Sequence, residues 1–166
     1  PKTGDVYLTL TNNYSNKRPD SLNNYHGKIL KITHPNGDYL SESFESSDFI
    51  VGGVETKMSC PDNLIFDKNG NLWMTNDISG SMMNKGPYKS FKNNGLFYIP
   101  TSGPQAGEVF QIASAPVDAE LTGLTFTPDE KTLFLSVQHP GEKSPSAKKL
   151  SSHWPTKDNG TPRPSV

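Results

Sequence analysis

Cysteine is almost missing from this sequence: Cys60 stands alone among 166 residues, so no internal disulfide can form and the redox compartment is left open. Its expected role is that of a half-buried small apolar residue. Arginine is nearly as scarce, with only Arg18 and Arg163. The formal net charge is −1, and no run of one sign is long enough to offer a nucleic acid or acidic polymer a surface. Apolar residues make up only 32% of the chain, and no window approaches the roughly 18 consecutive apolar residues of a membrane-spanning helix. A basic-then-apolar leader is also missing. Convincing helical periodicity is nowhere found. No Gly-x-Ser-x-Gly elbow, Walker loop or Gly-x-Gly-x-x-Gly turn occurs, and His26, His34, His139 and His153 show no zinc-binding spacing.

What is present is a set of short apolar runs, VYLTL, KILKI, LIFD, NLWM, GLFYI and TLFLSV, punctuated by fourteen Gly and fourteen Pro scattered along the chain. Such punctuation favours an all-β protein. An internal repeat sharpens this expectation. PDNLIFDKNGNLWMTND at 61–77 parallels LTGLTFTPDEKTLFLSVQ at 121–138, with Phe66 and Phe126 standing 60 residues apart. Asn69-Gly70 and Pro128-Asp129 supply turn residues, so each stretch reads as a β-hairpin. The opening DVYLTLTN matches the second half of this unit, with Tyr7 in the place of Trp73 and Phe134. Second hairpins follow at 27–44 and 95–114.

These pieces assemble into four-stranded antiparallel units, the grammar of a β-propeller. On this reading, 5–44 holds the last three strands of one blade, 61–114 a complete blade, and 121–138 the first two strands of the next. Residues 139–166 hold a loop and, at RPSV, the start of a further strand; 13–26, 79–94 and 139–161 are loops. A β-sandwich also has short strands between turns, but the 60-residue repeat favours the partial propeller, a fragment of a larger ring. Pro1 and Val166 read as cut points. A fragment so cut exposes strand edges, and self-association through them is expected.

In a propeller, loops leading into the innermost strands line the channel mouth, where acidic side chains can gather around an ion. Asp62 and Glu120 precede such strands. Spacing alone leaves a second reading open, in which Asp62 caps a turn and Glu120 is a solvated loop acid. Asp77 ends a strand, either at the same rim or in an Asx turn. His139 follows a strand, where an imidazole can ligate a metal, contact phosphate or simply bond to backbone. Arg18 lies in a polar loop after a strand, as a phosphate fork or as a surface residue.

At this point TLTNNYSNKRP, SCPDNLIFDKNGNLWMTND, AELTGLTFTPDEKTLFLSVQHPGE and SSHWP, in that order, resemble the C-terminal part of PhoX-type bacterial alkaline phosphatases. The resemblance covers nearly the whole chain. It implies a periplasmic or secreted enzyme that hydrolyses small phosphate monoesters with calcium and iron at the channel mouth. It also implies metal-ligand roles for Asp62 and Glu120 and a phosphate contact for Arg18, with Asn12 and Asn13 shaping that loop. Two positions depart from the family pattern: Asn63 stands where Gly is usual, and Tyr14-Ser15-Asn16-Lys17 precede Arg18. The remaining blades of the parent are implied partners, and the fragment alone is expected to be inactive. Two rivals are a non-catalytic propeller that binds a ligand and a calcium-dependent lactonase-like propeller enzyme.

Overall fold

The computed structural model describes residues 3–15, 17 and 19–166. Among the described residues nine strands form, in chain order: β1 Val6–Leu10, β2 Lys28–Thr33, β3 Glu45–Val51, β4 Pro61–Phe66, β5 Leu72–Asn76, β6 Gly95–Ile99, β7 Phe110–Ser114, β8 Glu120–Phe126 and β9 Leu133–Gln138. All pairings are antiparallel, in sheets ordered β1-β2-β3, β4-β5-β6-β7 and β8-β9. The described helical segments are three-residue 3-10 turns. RPSV adds an isolated bridge, Val137 to Ser165.

Turn chemistry fixes the hairpins. Asp67 accepts hydrogen bonds from the Asn69 and Asn71 amides through Oδ1, and from Asn71 Nδ2 and Trp73 Nε1 through Oδ2. That one carboxylate therefore ties the β4-β5 turn to the following strand. The first sheet differs from the sequence reading in one respect. Residues 38–44 pass outside the sheet, with Leu40 93% exposed, and the third strand is Glu45–Val51. The core decides this register, since Ile50 pairs with Ile29 and both are buried.

The sheets stack face to face, and strand alternation distributes side chains between two interfaces. From β5, Leu72 and Met74 join Ile29, Ile50, Met58, Phe97 and Ile99 between the first and second sheets. Trp73 points the other way, against the cluster of Leu96, Ala115, Ala119, Leu121, Leu124 and Val137 facing the third sheet. The same aromatic contact occurs at both interfaces. Tyr7 meets Phe66 edge-on at 5.0 Å, and Trp73 meets Phe126 edge-on at 5.6 Å. The 60-residue repeat is thus also a repeat of packing, with β1 against the first strand of the second sheet as β5 is against the first strand of the third.

Candidate functional site

The register brings the candidate acids to one end of the stack. Pro61 pairs with Asn76 and Glu120 with Gln138. The start of β4, the end of β5, the start of β8 and the end of β9 therefore lie on the same side. Asp62 is the second residue of β4 and Glu120 the first of β8; both belong to the strands rather than to the loops before them. Each strand is interrupted by a β-bulge, between Pro61 and Leu64 and between Thr122 and Thr125, and bulges re-aim side chains.

Asp62, Asp77 and Glu120 act on one another. Burial and the neighbouring Asp77 carboxylate push the Glu120 carboxyl up to about 7, with Asp62 adding a smaller repulsion and His139 opposing it. Asp62 is raised too, by burial and then by Asp77. Uncompensated negative charge in a poorly solvated place has this effect. His139 Nε2 stands 3.8 Å from Glu120 Oε1, and its Nδ1 stands 3.9 Å from Glu142 Oε2. Neither is a hydrogen bond, and Nδ1 is buried without a hydrogen-bond partner among the described residues.

The surrounding framework consists of amides. Asn76 Oδ1 accepts from the Gly95 amide while its Nδ2 donates to the Ser59 carbonyl. Asn94 Oδ1 accepts from the Ile78 amide and its Nδ2 donates to the Ile78 carbonyl. Both side chains are buried, and they fix the backbone on either side of Asp77. The Asp77 amide itself donates to the Cys60 carbonyl at 2.9 Å. Cys60 is fully buried, beyond the half-burial its sequence context suggests, and burial pushes its thiol pKa up. A thiol so held stays protonated and inert.

Asn12 lies at the same end, its Nδ2 donating to Cys60 Sγ at 3.5 Å. Asn13 pairs with Asn24 through two backbone hydrogen bonds. Arg18 lies outside the described residues. The amides of Asn63, Asn76 and Asn94 escaped the sequence reading as site residues. Asn76 and Asn94 carried a faint signal, since TND and NNG flank the loop they close.

Stacked antiparallel sheets of three, four and two strands, with acids converging at one end, define the class: a partial β-propeller. A family model described as alkaline phosphatase PhoX matches residues 1–141. Among solved structures, that of Pseudomonas fluorescens PhoX in complex with vanadate, a transition state analogue, is 32% identical, with a TM-score of 0.82. The match covers 99% of this chain and 31% of that one. No curated protein matches. The chain belongs to the PhoX alkaline phosphatase family.

Proposed function

We propose that the protein containing this chain is a metal-dependent phosphatase acting on small phosphate monoesters, and that this chain supplies one flank of its active site. The observation that carries the reading is the crowding of Asp62, Asp77 and buried Glu120 beside His139, in a member of the PhoX family. The vanadate held by the Pseudomonas relative, an analogue of a transition state, fits the same chemistry.

The donors suit a hard cation in kind, because carboxylates whose repulsion raises their pKa values gain most from a positive charge between them. They do not suffice in number. Among the described residues no group of three or more His, Cys, Asp and Glu side chains is arranged to hold an ion. Asp62 and Glu120 are therefore assigned as part of a shared ligand set, with calcium and iron as the cations this reading names. When bound, such cations neutralise phosphate charge and activate an oxygen nucleophile. In this chain Asp77 stands beside Glu120, while His139 faces Glu120 and is placed to contact a phosphate oxygen. Arg18 is assigned as a phosphate contact, with Asn12 and Asn13 shaping its loop.

The reading extends to partners and place. Val6, Leu8 and Leu10 are exposed on β1, and Phe134 is exposed on β9; these faces suit packing against further sheets of a larger ring. A periplasmic or secreted location goes with the family resemblance. The test is p-nitrophenyl phosphate hydrolysis by the longer protein that carries this chain. Metal-dependent turnover, lost in Asp62→Asn and Glu120→Gln, supports the reading, and wild-type rates in both variants refute it.

A further inference from the structure

Asn63 is the residue at which the two acidic strands are joined. Its Oδ1 accepts from Thr122 Oγ1 at 2.5 Å and from the Gly123 amide at 2.7 Å, while its Nδ2 donates to Asp62 Oδ2 at 3.0 Å. Two donors therefore converge on the oxygen and a carboxylate on the nitrogen. That pattern fixes the orientation of the amide, since the reverse would set donors against donors. No other side chain of this size supplies both functions. An aspartate has no N–H for Asp62, and an apolar residue has neither group.

The positions joined are not arbitrary. Asn63 sits in the β4 bulge and Gly123 in the β8 bulge, 60 residues apart and equivalent in the repeat. Gly123 has φ of +65°, a left-handed conformation that presents its amide to the neighbouring sheet and that a side chain would strain. Asp62 is gripped from the opposite side as well, because Thr9 Oγ1 donates to its carbonyl at 3.0 Å. The first sheet thus holds the Asp62 backbone, and the third holds its carboxylate through Asn63.

We infer that Asn63 is a positioning residue: it aims the Asp62 carboxylate and sets its separation from Glu120 by clasping the β4 bulge to the β8 bulge. The inference rests on the cation-site reading above. Partners that orient a ligand in this way typically change metal affinity about 10- to 100-fold when removed.

The experiment is calorimetric titration of the longer protein that carries this chain with Ca2+, and with Tb3+ as a luminescent probe, alongside thermal melts without metal. Asn63→Ala should weaken binding by roughly tenfold or more. Thr122→Val keeps the bond to Asp62 and removes one cross-sheet bond, so it should weaken binding by a smaller factor. A residue with a structural role alone would lower the melting temperature in both variants and leave affinity, measured well below the melt, unchanged; that result overturns the inference while the cation site stands. If Asn63→Ala does not fold, Thr122→Val decides: weaker binding supports the clasp, and wild-type affinity overturns it. Should the wild-type longer protein bind neither ion, the cation-site reading fails first and this inference with it.

Discussion

Glu120 stands at the centre of the residue-scale chemistry, because its carboxyl is buried beside a second acid and holds its proton up to about pH 7. A carboxyl whose folded pKa lies above its unfolded value favours the folded state fully below the unfolded value, near 4.5, and loses that contribution as pH rises through about 7. Without metal, the chain should therefore be less stable at pH 8 than at pH 5, by on the order of 1–2 kcal/mol after allowance for solvent screening. Glu120→Gln should flatten that part of the profile, as thermal melts across pH will record. Asp5 has the opposite sign. Lys31, at 2.8 Å, and Thr3 hold its carboxyl below the usual range, so its contribution is present near neutrality and disappears as pH falls through the lowered value.

At the scale of the element, the hairpins depend on a few polar side chains that convert turns into fixed register. Asp67→Ala removes four hydrogen bonds from the β4-β5 turn and should cost about 1–2 kcal/mol, read from urea denaturation. Asn94→Ala is the more severe change, because it strands the buried Ile78 amide. We expect a loss of about 2–3 kcal/mol, with faster hydrogen exchange at Ile78 and Asp77 as the local signature. The hairpins at 61–77 and 121–138 were legible in the sequence because turn residues and alternating apolar positions are local features. The third strand of the first sheet was not, since 38–44 and 45–51 both read as extended and only the burial of Ile50 against Ile29 separates them.

For the whole molecule, stability lies in the two interfaces between sheets. Trp73→Ala empties the contact with Phe126 and the cluster around Leu121, and should cost about 3 kcal/mol or more. Phe66→Ala should cost a similar amount by opening the contact with Tyr7. Sedimentation of the pure chain tests the other whole-molecule expectation: the unpaired edges of its first and last strands should drive concentration-dependent association, and a monomer at all concentrations would contradict it. The chain by itself should show no metal-dependent phosphatase turnover, because a ligand set shared with further blades cannot close within it; measurable hydrolysis by the pure 166-residue chain would contradict that.

The amino-acid sequence by itself determined that this is a β protein of repeated hairpins, with Phe66 and Phe126 marking the repeat and Asp62 and Glu120 as the acids to watch. Those properties follow from side-chain periodicity and turn chemistry, which act over a few residues. Only the tertiary structure decided that Asp77 is the neighbour that raises Glu120, that His139 faces it, and that Asn63 joins the two bulges. Each of these contacts spans residues 19 to 60 positions apart in the chain, and antiparallel register together with sheet stacking, rather than any local pattern, brings them within reach.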